Sequence, residues 1–149
     1  MPSHSLTSAS RPPLVSMVDL GLLCVRLGLA AVFMFHGAQK LFGWFDGAGM
    51  AQLIGGFGPV LGYLIAIGEF FGGLGLLVGF LSRFSAGSLV VIMGGAIALV
   101  HGQNGFSMAN KGYEYNFTLL MMALAILLAG PGRLALTELL PPGLRKYLT

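Results

Sequence analysis

The sequence has few charged residues for its length. Asp, Glu, Lys and Arg make up 9% of its 149 residues, whereas 56% are hydrophobic and the mean hydropathy is +0.86. Soluble domains carry about 25% charged residues, so this chain has too few ionised side chains to cover a water-facing surface. Its high hydropathy also excludes an intrinsically disordered chain. The composition therefore predicts an integral membrane protein in contact with the lipid bilayer.

Cysteine is also nearly absent, since Cys24 is the only one in the sequence. One thiol excludes an internal disulfide framework and a two-thiol relay within the chain, and with them a CxxC disulfide-exchange enzyme. The sequence has no phosphate loop, no Rossmann fingerprint, no haem, flavin or iron–sulfur signature and no spaced metal-ligand motif. We expect no metal site, and the basic residues are too dispersed to indicate nucleic acid.

Four stretches approach the roughly 20 apolar residues that cross a hydrocarbon core about 30 Å thick. They are residues 18–42, 60–81, 84–101 and 115–130, of which the last is short. Only helices satisfy the backbone of such segments in lipid. The predicted fold is therefore an all-α, four-transmembrane-helix bundle over residues 18–130. A polar N-terminal tail, residues 1–17, precedes it, and a C-terminal interfacial tail, residues 131–149, comes after it.

The distribution of positive charge predicts the orientation of this bundle. One face, with the termini and the short turn at residues 79–83, has more basic residues than the face with the connections 43–59 and 102–114. The first carries Arg11, Arg83, Arg133, Arg145 and Lys146, and the second carries Lys40 and Lys111. Because cytoplasmic loops are rich in Lys and Arg, we expect both termini to be cytoplasmic.

Two charged residues, Arg26 and Glu69, stand out because they fall well inside the predicted spans. Counting 1.5 Å per residue from the ends of two antiparallel helices, their depths differ by only about 6 Å. We therefore expect them to form a buried ion pair, because an unpaired charge in lipid is costly. The pair is interpreted either as a structural contact that fixes helix register or as a proton or ligand site.

A second polar cluster is expected at the opposite face from the termini. It contains His36, Gln39 and Lys40 at the end of the first helix, His101 at the end of the third, and Asn104 and Glu114 in or after the next loop. Three interpretations remain open for it. The two histidines and the glutamate could bind a metal, although the absence of a ligand-spaced motif disfavours this. The cluster could instead hydrogen-bond a quinone or a small oxyanion such as thiosulfate, or its members could only cap and anchor the loop.

Several segments resemble one known family. They are RLGLAAVFMFHGAQKLFGWF (26–45), IGEFFGGLGLLVGFLSR (67–83), HGQNGF (101–106), GYEY (112–115) and GPGR (130–133). In this order and spacing the chain resembles the DoxX (DoxX/DoxD-like) family from about Leu20 to Arg133. The resemblance implies a four-helix, multi-pass protein of the bacterial inner (cytoplasmic) membrane.

The resemblance also implies where function resides. The positions that match the family include Arg26, Glu69 and a candidate ligand or quinone site of His36, Lys40, His101, Asn104, Glu114 and Tyr115. The family pattern assigns no catalytic role to any of them. Relatives in this family include a membrane subunit of thiosulfate:quinone oxidoreductase and a mycobacterial protein that joins a superoxide dismutase and a sulfurtransferase in a redox complex.

The sequence supports two functional hypotheses. In the first, the chain is the membrane subunit of a redox system of the thiosulfate or thiol to quinone type. Since it has one thiol and no electron-carrier signature, electrons would enter from another protein subunit or directly from the substrate. The alternative is a non-catalytic scaffold or assembly subunit of a larger membrane complex, which the glycine-rich helix faces favour. A transporter ranks third, because a single buried charge pair is weak support for a transport path.

Overall fold

The computed structural model describes residues 15–148, which form an all-helical chain. Its long helices are α1 (Met17–Phe42), α2 (Met50–Val78), α3 (Ser82–Ala96) and α4 (Glu114–Ala129), and a short α5 spans Pro142–Leu148. A π-helical turn, Ile97–His101, continues α3. Short 3₁₀ segments lie at Gly102–Asn104, Met108–Asn110 and Leu136–Leu139. Arg11 and most of the predicted N-terminal tail lie outside the described residues.

Within residues 15–148, three helical segments are long and apolar enough to cross a membrane. They are Met17–Phe42, Met50–Val78 and Ser82–Asn104, and Glu114–Ala129 is a shorter apolar helix. The prediction of an all-α membrane protein with several apolar helices is thus confirmed. The crossing of the bilayer by all four helices and the cytoplasmic position of both termini stay predictions.

The second helix begins earlier than the sequence indicated and is sharply bent. Gly58 has φ 76° and ψ 167°, a backbone conformation outside the helical region, and Pro59 comes next. A Cβ built on Gly62 would lie 3.3 Å from the Cβ of Leu53, although nine residues of straight helix span about 13 Å. Residues 50–57 therefore fold back against the start of residues 59–78. The connection 43–59, expected as a loop, contains this additional helical segment.

Glycines bring the helix backbones into direct contact. A Cβ on Gly37 would lie 2.5 Å from the backbone nitrogen of Phe70, and one on Gly73 would lie 2.9 Å from that of Met34. These two positions hold α1 and α2 together at a fixed register. Around them, the fully buried core consists of large apolar side chains from all four helices, among them Leu29, Phe33, Leu76, Leu89 and Ile126.

Arg26 does not pair with Glu69, contrary to the prediction. Its buried guanidinium donates to the carbonyls of Leu76 (2.8 Å) and Leu77 (3.2 Å) in the last turn of α2. It also donates to the carbonyls of Pro131 (3.0 Å) and Leu134 (2.8 Å). A cation is favoured at a helix C-terminus, where the macrodipole is negative and four carbonyls lack helical partners. Arg26 therefore joins the end of α2 to the C-terminal tail.

The C-terminal tail packs across this end of the bundle, which we call the termini end. The Asp19 carboxylate accepts from the backbone N–H of Arg133 at 2.9 Å. Thr137 is buried, and both its backbone N–H and its hydroxyl donate to the carbonyl of Gly79 at 3.2 Å. The backbone N–H of Leu81 donates to the carbonyl of Leu148 at 2.8 Å. The tail, expected as an interfacial anchor, thus closes the termini end through hydrogen bonds to α1 and to the turn after α2.

Arg26→Met should destabilise the fold much more than Arg83→Met. Both arginines donate to carbonyls at a helix C-terminus, since Arg83 bonds the carbonyl of Leu128 at 3.0 Å, but Arg83 is exposed whereas Arg26 is buried. We expect a loss of about 3 kcal/mol or more for Arg26→Met, because four carbonyls, two of them in buried contacts, lose their donor, and about 1 kcal/mol for Arg83→Met. Thermal unfolding of the two variants in detergent measures the difference. Equal losses would contradict this role of Arg26.

Candidate functional site

The carboxylate buried between the helices is paired with a lysine near the end of α1. Lys40 Nζ and Glu69 Oε2 form an ion pair, in which the Lys40 side chain is 28% exposed and the Glu69 side chain 4%. Burial of an ion pair is costly unless the two charges are in close contact, which they are here. Glu69 is therefore part of the polar cluster at the other end of the bundle from the tail, which we call the loop end.

Side-chain direction explains why Lys40, and not Arg26, meets Glu69. Helical side chains lean toward the N-terminus of their own helix. Arg26 on α1 consequently leans toward the termini end, whereas Glu69 on the antiparallel α2 leans toward the loop end. Lys40 leans back from the loop end to about the level of Gly37, which contacts Phe70. The prediction compared only the depths of the residues along the helix axes. It left out these opposite side-chain directions and therefore gave Glu69 the wrong partner.

Next to this ion pair, α1, α2, α3 and the start of α4 enclose a cavity of about 1180 Å³. Pockets for small molecules commonly measure about 300–1,000 Å³ and are mainly apolar with a few convergent polar groups. Most of the lining here is apolar, including Phe33, Phe57, Ile65, Ile92 and Leu119. The polar lining groups are His36, Gln39, Lys40, Asp46, Gln52, Glu69, His101, Lys111, Tyr115 and Asn116.

Four of the six predicted ligand-site residues line this cavity: His36, Lys40, His101 and Tyr115. His101 Nδ1 donates to the carbonyl of Lys111 at 2.9 Å, because a carbonyl can only accept. His36 Nδ1 contacts Gln39 Oε1 at 3.0 Å, and Gln39 donates through Nε2 to the carbonyl of Phe45. In the tautomer that carries its proton on Nδ1, Nε2 of either ring can accept a hydrogen bond.

The other two predicted residues, Asn104 and Glu114, do not line the cavity. The Asn104 amide donates to the carbonyl of Lys111 at 3.2 Å, and the Glu114 carboxylate accepts from the backbone N–H of Met108 at 3.0 Å. They fold the loop that brings Lys111 to the cavity wall. Within residues 15–148, no three His, Cys, Asp or Glu side chains come together, and Glu114 is engaged in the loop.

Three polar residues of the cavity wall, Asp46, Gln52 and Asn116, were not predicted from the sequence. Asn116 lines the cavity, and its amide contacts the sulfur of Met93 at 3.6 Å. Asn116 is the one amide side chain in the largely apolar sequence of α4, and this isolation is the feature from which it could have been predicted. Gln52 lies on the helical segment 50–57. Because that segment was expected as a loop, no pattern in the sequence placed it against the helices.

Glycines provide part of the space in the cavity. Gly56 and Gly95 both line it, and a Cβ added at either would have no atom within 4 Å. The preceding residues, Gly55 and Gly94, are equally unobstructed but lie outside the lining. The chain therefore offers two adjacent glycine pairs in which only one member faces the cavity.

Lys40→Met should destabilise the protein more than Glu69→Gln. The first change leaves a buried carboxylate without its partner, at an expected loss of about 3 kcal/mol. The second leaves a half-buried ammonium that extends toward the loop end on its flexible stem, at about 1 kcal/mol. Thermal unfolding of both variants and of Lys40→Met/Glu69→Gln tests this difference. The double variant should be more stable than Lys40→Met alone, and strictly additive losses would show that the two residues are not coupled.

A comparison with protein families identifies the chain. The family model described as DoxX matches residues 21–102, more than half of the 149 residues, and this match confirms the resemblance seen in the sequence. The matched range includes Arg26, His36, Lys40, Glu69 and His101, and it ends before α4. No curated protein and no solved structure matches the chain at a significant level. The chain belongs to the DoxX family.

Proposed function

We propose that this DoxX-family chain is the membrane subunit of a redox system that passes electrons from thiosulfate or thiols to quinone, and that quinone binds in the cavity. One observation carries the proposal. The cavity is largely apolar, and the polar groups of α1, α2 and α4 converge in it around the Lys40–Glu69 ion pair. A quinone has the matching chemistry, with a flat apolar ring and two carbonyl acceptors.

The hydrogen-bond donors in the cavity wall match the two carbonyl groups of a quinone. Lys40 offers an ammonium, Tyr115 a hydroxyl and Asn116 an amide, and all three line the same space. Hydrogen bonds placed in a largely apolar pocket orient a ligand, while the apolar walls contact its ring. A quinone bound with its ring between these groups would therefore be held by both kinds of contact.

The charges that line the cavity favour a neutral ligand over an oxyanion. Lys40 is matched by Glu69, and Lys111 is matched in charge by Asp46, which also lines the cavity. A doubly charged thiosulfate ion inside the cavity would gain no excess of positive charge to replace its lost hydration. We therefore assign the cavity to quinone, and we assign oxidation of the sulfur compound to a partner subunit or to the protein surface.

The reaction balances with these assignments. Two thiosulfate ions, or two thiols, form one S–S bond and release two electrons, and thiols also release two protons. Quinone takes up these two electrons and two protons, which come from the thiols or, with thiosulfate, from water, and it becomes quinol. His36, Lys40 and Glu69 lie in the cavity wall, where they can pass protons to the quinone oxygens. Cys24 is not among the residues that line the cavity, so electrons reach the quinone from a donor outside this chain.

The proposal includes a membrane orientation. All four helices cross the bacterial inner membrane, and both termini are cytoplasmic, as the distribution of Lys and Arg favours. The loop end then faces the periplasm. In this orientation the polar part of the cavity lies near the periplasmic surface, where a partner subunit or a soluble sulfur compound has access to it.

Gly95→Leu should abolish quinone binding, whereas Gly94→Leu should not. Both substitutions add the same side chain to adjacent helical positions that have no atom within 4 Å, but only Gly95 lines the cavity. We expect the affinity for a benzoquinone to fall at least tenfold in Gly95→Leu and to stay within about twofold of the wild type in Gly94→Leu. Equilibrium binding to the protein in lipid nanodiscs measures both.

Electron transfer to quinone is a second measurement on the Gly95→Leu and Gly94→Leu variants. Membranes that contain each variant and its native partners are assayed for thiosulfate-dependent or thiol-dependent quinone reduction. The proposal expects loss of this activity in Gly95→Leu alone. Full activity in both variants, with partners still co-purifying at fixed stoichiometry, would overturn it in favour of a non-catalytic scaffold.

A further inference from the structure

The seam between α2 and α3 is closed near the termini end. A Cβ added to Gly72 would lie 3.3 Å from the Leu89 side chain, and one added to Gly68 would lie 2.8 Å from that of Ile92. Glycine at these two positions lets α3 side chains pack directly on the α2 backbone. The two helices are therefore in contact up to the level of Gly68 and Ile92.

The same seam is open toward the loop end. Continuing along the two facing surfaces in steps of three or four residues leads to Ile65 and Leu61 on α2 and to Gly95 and Leu99 on the other side. All four residues line the cavity, and a Cβ on Gly95 would have no atom within 4 Å. From Gly68 toward the loop end the two helices thus separate, and the cavity occupies the space between them.

This gap reaches the outside of the bundle. Val91 and Leu99 line the cavity, yet 74% and 68% of their surfaces are exposed. Val91 lies two residues from each of the buried residues Leu89 and Met93, and two residues correspond to about 200° around a helix. It therefore lies on the side of α3 that faces away from the core. The residues at this edge are all apolar, as is suited to contact with hydrocarbon.

We propose that Leu61, Val91 and Leu99, at the edge of the gap, form a lateral opening, through which the apolar tail of a lipid-soluble ligand extends from the cavity into the membrane. This inference rests on the proposed function and specifies its substrate as a quinone with an alkyl or prenyl tail. The ring occupies the polar part of the cavity at Lys40 and Tyr115. The tail lies between α2 and the end of α3.

Two probes and two variants test the lateral opening. The probes share a dimethoxy-methyl-benzoquinone ring, and only one carries a decyl tail. Leu61→Trp places a large side chain at the opening. Val60→Trp is the matched control, because Val60 is an adjacent exposed apolar residue that does not line the cavity. Affinities are measured in nanodiscs of one lipid composition, so partition of each probe into lipid cancels between variants.

Leu61→Trp should weaken binding of the tailed probe at least tenfold and leave binding of the tailless probe within about threefold. Val60→Trp should change neither, and unfolding temperatures near the wild-type value establish that both variants fold. Equal weakening of both probes, or no effect on either, would overturn the lateral opening while quinone binding itself stands. Failure of the wild-type protein to bind either probe would instead refute the proposed function, and this inference with it.

Discussion

The direct backbone contact between α1 and α2 determines where the buried charges of this protein find their partners. Gly37 lies against Phe70, and Gly73 lies against Met34, so the two antiparallel helices have no freedom to slide. This register brings Lys40 to Glu69 and, at the same time, brings the Arg26 guanidinium to the last carbonyls of α2. A shift of one helical turn, about 5.4 Å, would separate both sets of partners.

The two ends of the bundle have different polar chemistry as a result. At the termini end, the polar groups of Asp19, Arg26 and Thr137 are bonded to backbone atoms, which closes this end with the C-terminal tail. At the loop end, Lys40 pairs with Glu69, His101 bonds the Lys111 carbonyl, and the separation of α2 from α3 leaves space beside these side chains. The tail thus covers the termini end, whereas the loop end contains the cavity.

Much of this organisation could be predicted from the sequence. Apolar length indicated the helices, and the rarity of charge identified Arg26 and Glu69 as residues that need partners and placed Lys40 in the polar cluster. Partner choice could not be predicted, because it depends on the lean of each side chain and on a register set by glycine contacts. The helical segment 50–57 could not be predicted either, since it is rich in glycine and is stabilised by folding back on Gly62.

The candidate site was predicted only in part, because the sequence does not show whether a polar side chain faces the cavity or is used within the loop. His36, Lys40 and His101 were expected from their positions at helix ends and Tyr115 from the family resemblance, and all four line the cavity. Asn104 and Glu114 have the same polar character, but they are used within the loop, a difference that only the folded loop reveals. Gly56 and Gly95 carry no chemistry that a motif could identify, although they create the space that a ligand would occupy.

The most direct measurement is an experimental density map of the protein isolated from its native membrane with lipids and partners retained. If quinone is bound as proposed, the map will show density for a flat ring between Lys40 and Tyr115 and for a tail that leaves the cavity between Leu61 and Leu99. A cavity filled by side chains of a partner subunit, or by a phospholipid acyl chain with no ring at Lys40, would contradict it.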